Sequence, residues 1–244
     1  MQWDLVFVFL IVLIGSIMQG ASGFGFGLVV MGILPLMLTV KDSTLLTMSL
    51  VVVMTITILS KLYKYIELKQ MLIIVVSALF ARIFSFLFLN TYGEMDFLKQ
   101  WLGIFLIVLV LYLLFSKKKK EKPVITTPLL PIILGLLGGF IGGIFAVGGP
   151  FFVFYFLMIY EDKRKYNANL QASFLITSLF TIIIHGANGD FDSSFILYFL
   201  CGLVSVFIGT YIGLKLFEKL SNEIIKKIAM MMVTVAAIIL IFIG

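Results

Sequence analysis

The sequence predicts an all-α polytopic membrane protein. Hydrophobic residues make up 62% of the 244-residue chain, only 12% are charged, and the mean hydropathy is +1.20. Apolar runs of about 17 to 25 residues recur from end to end, and each is long enough to span a bilayer. This composition leaves no room for a separate soluble domain.

Two apolar runs, at about residues 5–40 and 129–160, are too long for a single helix and contain glycine-rich stretches. These are Gly20-Ala21-Ser22-Gly23-Phe24-Gly25-Phe26-Gly27 and Gly142-Gly143-Ile144-Phe145-Ala146-Val147-Gly148-Gly149-Pro150. Glycine leaves the backbone unrestricted and proline lacks an N–H, so both stretches predict interrupted helices. Backbone groups freed at membrane depth need partners, so such breaks line a cavity or pack inside protein. We expect the two breaks to form the walls of one binding site, with each run divided into two short helices.

The remaining pattern predicts helices at residues 44–60, 70–89, 97–115, 168–185, 195–214 and 224–243, with Ser43 as the N-cap of the first. Residues 1–116 form a first predicted repeat, 117–127 a basic cytoplasmic linker, and 128–244 a second repeat. Shifting the chain by 124 positions places Gly25 on Gly149, Phe26 on Pro150, Lys41 on Lys165 and Ser49 on Ser173. Two-fold repeats of this kind are common in secondary transporters.

Basic residues predict how the chain crosses the membrane. If each broken run crossed once, the lysines would divide almost evenly between the two sides, against the positive-inside tendency. If each broken run is a hairpin, fifteen basic residues lie on one face and only Lys41 and Lys99 on the other. We therefore predict two inverted repeats, each a glycine-broken helical hairpin plus three transmembrane helices, with both termini extracytoplasmic. Re-entrant hairpins and pairs of short, tilted spans both satisfy this count.

The predicted breaks favour an anion. Helices that begin near Gly27 and Phe151 would direct their N–H groups and positive dipole ends towards the membrane midplane. Nearby hydroxyl and amide groups, including those of Thr47 and Thr177, would complete the hydrogen bonds. The alternative is that the glycines only allow close helix packing, most plausibly at Gly135, Gly139 and Gly143, which lie four apart. The predicted substrate-binding residues are Gln19, Ser22, Gly23, Gly25, Gly27, Ser49, Arg82, Gly148, Gly149, Pro150, Gln171 and Ser173.

Charged residues inside the predicted helices support the same interpretation. No Asp or Glu falls in a predicted helix interior, whereas Arg82 does, and charges at depth are usually functional. The alternative for Arg82 is that its side chain reaches the outer headgroups. His185 is expected at the membrane interface, and Phe24, Phe26 and the 151–154 aromatic group in the core or against lipid. Proton coupling is plausible, although the sequence offers no buried carboxylate for it.

Other classes of function find no support in the sequence. There is no Walker motif, no cluster of potential metal ligands and no arranged nucleophile and base, so we expect neither an enzyme nor a bound cofactor or metal. The single cysteine, Cys201, excludes an internal disulfide. The positive charge is concentrated in loops, which argues for membrane orientation rather than for nucleic-acid binding. A homo-oligomer remains open.

The two glycine-rich stretches resemble the motifs of the TauE/SafE family of membrane permeases. Residues 20–28 with Pro35 are similar to its first-half motif, and residues 142–150 with Phe154-Tyr155 to its second-half motif, in which Ala146 stands where glycine is common. The resemblance covers essentially the whole chain. It implies transport of small sulfur-containing anions, such as sulfite or an organosulfonate, across the cytoplasmic membrane.

The sequence thus predicts a secondary transporter for a small anion that works by alternating access. One rival is an anion channel using the same site. A second rival is a membrane chaperone or assembly factor with no transported substrate.

Overall fold

The computed structural model describes residues 2–115, 129–217, 230–231, 234–235 and 237–242. All regular structure within these residues is helical. The helices are α1 (Gln2–Ser22), α2 (Phe26–Ile33), α3 (Val40–Leu62), α4 (Leu68–Tyr92), α5 (Phe97–Phe115), α6 (Leu129–Phe145), α7 (Gly149–Ile159), α8 (Lys163–Ala187) and α9 (Phe195–Phe217). The predicted linker at 117–127 and half of the predicted last helix lie outside the described residues.

The predicted fold class is confirmed. In the part of the chain that the structure describes, five helices are long and apolar enough to cross a membrane, namely α1, α3, α4, α8 and α9. The outer face of α4 is apolar and exposed, with Leu72, Val76, Phe80 and Leu87 each more than half accessible. Such a continuous apolar surface suits contact with lipid, because a water-soluble protein rarely exposes a patch of this kind. The chain is therefore a multi-pass membrane protein.

Both predicted helix breaks are present. α1 ends at Ser22, and Gly23 and Gly25 take φ angles of 82° and 109° before α2 begins. α6 ends at Phe145, and α7 begins at Gly149 with Pro150 in its first turn. Proline is tolerated there because the backbone N–H groups of a first turn have no acceptor within the helix. The prediction of two short helices is wrong for α1, which runs for 21 residues because Gly15 and Gly20 stay helical and the first positive φ comes at Gly23. Only α2, with 8 residues, is short in this run.

Local capping corrects two predicted boundaries. Thr39, rather than Ser43, is the N-cap of α3, because its hydroxyl oxygen accepts from the backbone N–H of Asp42 at 3.0 Å. Residues 41–43, which precede the predicted helix at 44–60, therefore belong to the first turn of α3. Similarly, Asp162 caps α8, which begins at Lys163 instead of Ala168.

α1 and α9 run parallel and in contact. Cys201 Sγ donates to the carbonyl of Leu5 at 3.3 Å, and one turn further Ser205 Oγ donates to that of Phe9 at 2.9 Å. Because the two contacts follow the same order in both helices, α9 begins beside the start of α1.

α4 and α6 form a second parallel pair, in which the glycines of α6 allow backbone approach. A Cβ atom built on Gly135 would collide with the carbonyl oxygen of Ile74, and one on Gly139 with that of Ala78. One turn on, a Cβ on Gly143 would collide with the hydroxyl of Ser85. The packing role considered for these three glycines is confirmed.

Two ends of the bundle can be defined by their ion pairs. At the Lys41 end, where α3 begins and α4 and α8 finish, Lys41 Nζ binds Asp190 Oδ1 at 2.9 Å. At the opposite, Lys165 end, Lys165 Nζ binds Glu67 Oε1 at 2.6 Å. The α1–α2 run starts near the beginning of α9 and leads into α3, so it returns to the Lys41 end. The α6–α7 run starts and finishes at the Lys165 end, where Tyr155 donates to the carbonyl of Gln70 at 2.8 Å.

Each broken run is thus a hairpin, and the two hairpins enter from opposite ends of the described bundle. The full relation between two inverted repeats stays a prediction, because half of the predicted last helix, the counterpart of α5 in the second half, lies outside the described residues.

Candidate functional site

A cavity with an empty volume of about 490 Å³ lies between the two breaks. Six helices contribute side chains or backbone to its wall, and the first turns of α2 and α7 both border it. The lining residues are Gln19, Phe24, Gly25, Gly27, Leu28, Met48, Val51, Arg82, Ala146, Val147, Gly148, Gly149, Pro150, Phe152, Phe174, Thr177 and Ser178.

The two breaks meet through their backbones. A Cβ atom built on Gly27 would collide with the carbonyl oxygen of Ala146, so only glycine fits there without displacing the second break. Gly25 has nothing within 4 Å of its missing Cβ, which leaves the backbone of the first break open to the cavity. The N-termini of α2 and α7 are thereby brought to one place. First-turn N–H groups and the positive dipole end of each helix favour an anion there.

Arg82 of α4 supplies a full positive charge to the cavity. Its side chain is buried, with a relative exposure of 4%. Nη1 donates to Thr181 Oγ1 on α8 and contacts Met48 Sδ on α3 at 3.6 Å, while Nε has no hydrogen-bond partner among the described residues. The alternative that Arg82 reaches the outer headgroups is wrong, because neighbouring helices enclose the side chain. A buried cation with unsatisfied donor capacity suits the binding of an oxyanion.

Gln19 and Gln171 stabilise the first break. Gln19 Oε1 accepts from the backbone N–H of Phe26 at 3.2 Å, and its Nε2 donates to Gln171 Oε1 at 3.2 Å. Gln171 Nε2 in turn donates to the carbonyl of Gly23 at 2.8 Å. Both amides therefore satisfy backbone groups that the broken helix leaves without partners. Only Gln19 also lines the cavity.

Several predicted binding residues lie outside the cavity lining. Ser49 and Ser173 each donate to the carbonyl four residues earlier, a common arrangement for hydroxyls within helices. Thr47 donates to Met31 Sδ at 3.5 Å, and Gly23 contacts Gln171 rather than the cavity. The side chain of Ser22 lies outside the described residues. Gly25, Gly27, Gly148, Gly149 and Pro150 all line the cavity as placed by the sequence pattern.

Some lining residues were not predicted from the sequence. Ser178, which neighbours Thr177 on α8, donates to Met48 Sδ at 3.2 Å, and both residues border the cavity. Phe24 and Phe152, expected in the core or against lipid, line it together with Phe174. The Ser- and Thr-rich composition of α8 was the only sequence signal for this wall. Apolar runs give no indication of which aromatic side chains face an internal space.

Broken helices that enter from opposite ends and meet at a cavity within a bundle of apolar helices are typical of membrane transporters. The family comparison agrees, since the sulfite exporter TauE/SafE family model matches residues 8–240. The chain belongs to this family of membrane transporters. No curated protein and no solved structure is significantly similar to the chain.

Proposed function

We propose that the protein is a secondary transporter that carries a small sulfur-containing anion, such as sulfite or an organosulfonate, across the cytoplasmic membrane by alternating access. The observation that supports this most directly is the cavity bordered by Arg82 and by the first turns of α2 and α7. Arg82 is the one charged residue among its lining residues in the part of the chain that is described. The local field therefore favours a negatively charged solute.

The walls of the cavity agree with a small oxyanion that carries an apolar or polarisable part. A guanidinium group binds the oxygens of planar or tetrahedral oxyanions in a fork geometry. Besides the polar side chains of Thr177 and Ser178, the lining includes the rings of Phe152 and Phe174 and the thioether of Met48. These soft, apolar groups fit the sulfur or short carbon chain of the anion better than a strongly hydrated solute.

The orientation proposed with this function places both termini outside and the linker at 117–127 inside. It follows from the lysine distribution and from the return of each broken run to its own end. Single cysteines placed near each terminus, in a Cys201→Ala background, should react with an impermeant thiol reagent on intact cells. Labelling that requires lysis would contradict this orientation.

Counterflow of radiolabelled sulfite in proteoliposomes tests transport. The wild-type protein should give saturable, protein-dependent exchange, and Arg82→Gln should lower its rate at limiting sulfite by at least about tenfold, because the anion loses its charged partner. Arg164→Gln is the matched control, since Arg164 lies at the exposed Lys165 end and donates to Tyr65 at 2.9 Å. An equal loss in both variants would contradict the assigned role of Arg82.

The same measurement separates the rival functions. An anion channel would give a conductance that does not saturate and shows no counterflow. A chaperone or assembly factor would give no flux with the wild-type protein.

A further inference from the structure

His185, the only histidine of the chain, is buried in a charged cluster near the Lys41 end. Its relative exposure is 0%, so neighbouring residues enclose the ring at this end of the bundle. Nδ1 lies 2.6 Å from Asp190 Oδ2, and the other carboxylate oxygen of Asp190 accepts from Lys41 Nζ and Asn188 Nδ2, both at 2.9 Å. The cluster thus contains a buried carboxylate. The sequence did not reveal it, because Asp190 lies in the segment after α8 and not in a predicted helix.

The hydrogen bonds of this cluster leave one imidazole nitrogen available. Asp190 accepts from Lys41 and Asn188, so it is held as a carboxylate and its Oδ2 accepts the hydrogen of His185 Nδ1. The lone pair of the neutral ring then lies on Nε2. Nε2 is buried and has no hydrogen-bond partner among the described residues. A proton bound there converts the ring to imidazolium, whose charge Asp190 stabilises through Nδ1.

His185 lies between the transport cavity and a second cavity. Ser178, Thr181 and His185 lie on one buried face of α8, because they are spaced by three and four residues. Ser178 lines the transport cavity and Thr181 accepts from Arg82. On the other side, a cavity with an empty volume of about 330 Å³ at the Lys41 end reaches Asp190. A proton can therefore pass to the cluster from that end.

The charges that face His185 come from three parts of the chain. Asp190 lies in the segment after α8, Lys41 in the first turn of α3, and Arg82 on α4. The ring edge of Phe86, also on α4, packs against the imidazole with a centroid separation of 4.8 Å. The charges of Lys41 and Asp190 cancel, so a proton on His185 adds one net positive charge near Arg82. An anion in the transport cavity compensates this charge, and the two binding events favour each other.

We propose that His185, oriented by Asp190, is the proton-binding site of the transporter and that one proton moves with each anion. This inference rests on the proposed transport function. Histidine suits the role because its charge changes near neutral pH, and buried His and Asp groups in membrane proteins are recurrent proton carriers. Lys41 and Asn188 act as positioning residues, because they hold the carboxylate that orients the ring.

Nuclear magnetic resonance of protein labelled in its single histidine tests proton binding directly, after purification with a tag that lacks histidine. The imidazole should change charge between about pH 5 and 8. Saturating sulfite should move the titration midpoint to higher pH by about one pH unit, a typical coupling between two ligands. A ring that does not titrate in this range would overturn the proposal. A midpoint that sulfite leaves in place, although sulfite is transported, would overturn the coupling and leave transport intact.

Transport driven by a proton gradient gives a second, independent measurement. Sulfite uptake by wild-type proteoliposomes should be accelerated by a proton gradient, and His185→Gln should abolish this acceleration. Thr91→Ala is the control at the same end, because its hydroxyl is exposed and donates to the carbonyl of Leu87 in its own helix. Acceleration that survives in His185→Gln would overturn the proposal. Absence of any counterflow in the wild type would instead remove the transport function itself.

Discussion

Gly27 and Ala146 lie in direct backbone contact at the centre of the molecule. The carbonyl oxygen of Ala146 occupies the space that a side chain at residue 27 would need. This contact joins the first turn of α2 to the second break, although the two residues are far apart in sequence. It fixes the separation of the two helix N-termini, and it therefore fixes the shape of the cavity between them.

Replacing Gly27 with alanine should disrupt this contact. We expect Gly27→Ala to lower the free energy of unfolding by about 1–3 kcal/mol, as overpacking of a close contact does, and to abolish most sulfite counterflow. Thermal unfolding in detergent and counterflow in proteoliposomes measure the two effects. Gly186→Ala is the matched control, because its new methyl group would lie 3.4 Å from the ring of Phe191. Equal stability and equal sulfite counterflow in the two variants would show that this contact does not hold the breaks together.

Ala146 is the one non-glycine residue with positive φ among the described residues, at 54°. Left-handed backbone strains an alanine by about 1–2 kcal/mol, whereas glycine adopts it freely but loses about 0.5–1 kcal/mol of chain entropy on folding. Ala146→Gly should therefore raise the free energy of unfolding by about 0.5–1 kcal/mol. Ala172→Gly, on the buried face of helix α8, should lower it by a similar amount. Chemical or thermal unfolding compares the two variants. A lower free energy of unfolding in both would contradict the strain at Ala146.

The ion pairs at the two ends differ in burial. Lys41 and Asp190 are 11% and 6% exposed, whereas Lys165 and Glu67 are 46% and 36% exposed. Lys41→Met should lower the free energy of unfolding by about 3 kcal/mol, because it leaves a buried carboxylate without its cation. Lys165→Met should change it by no more than about 1 kcal/mol. Thermal unfolding of both variants checks this ranking, and the reverse order would contradict the assigned burial.

Asp190 should make stability depend on pH in the acid range. Burial raises the pKa of Asp190, but hydrogen bonds from Lys41, His185 and Asn188 outweigh it and hold the pKa below its usual value. The carboxylate therefore contributes stability that is fully present above about pH 4 and is lost as the pH falls through the lowered pKa.

Asp190→Asn removes this contribution. The difference in unfolding free energy between wild type and Asp190→Asn should be largest near neutral pH and should shrink below about pH 4. Unfolding curves recorded across this range provide the measurement. A difference in unfolding free energy that grows on acidification would contradict the lowered pKa of Asp190.

The sequence predicted the features that depend on local backbone chemistry. Clustered glycine and proline weaken a helix, so both breaks and their facing N-termini followed from residues 20–27 and 142–150, although Gly142 and Gly143 remain within α6. The cost of burying a charge likewise identified Arg82 as a candidate binding residue. The N-cap at Thr39 was missed because Thr39 and Ser43 are both capable caps, and the choice depends on where the preceding 3₁₀ turn at Leu34–Leu36 ends.

Features made by distant contacts were not predictable. Asp190 appears in the sequence as part of a polar loop, and only the fold brings it to Lys41, 149 positions away. Ser173 and Ser178 are equally plausible anion ligands by sequence. The rotation of α8 places Ser178 at the cavity and leaves Ser173 bonded to the backbone of its own helix.

The most direct test of the central claim is the location of a bound anion. Selenite resembles sulfite, and its selenium can be located by anomalous scattering in crystals grown from protein with unlabelled methionine. The account predicts one peak within hydrogen-bonding distance of Arg82 and of the first turns of α2 and α7, lost in Arg82→Gln. A peak only at other positions, at a selenite concentration that inhibits sulfite counterflow, would contradict binding between the two broken helices.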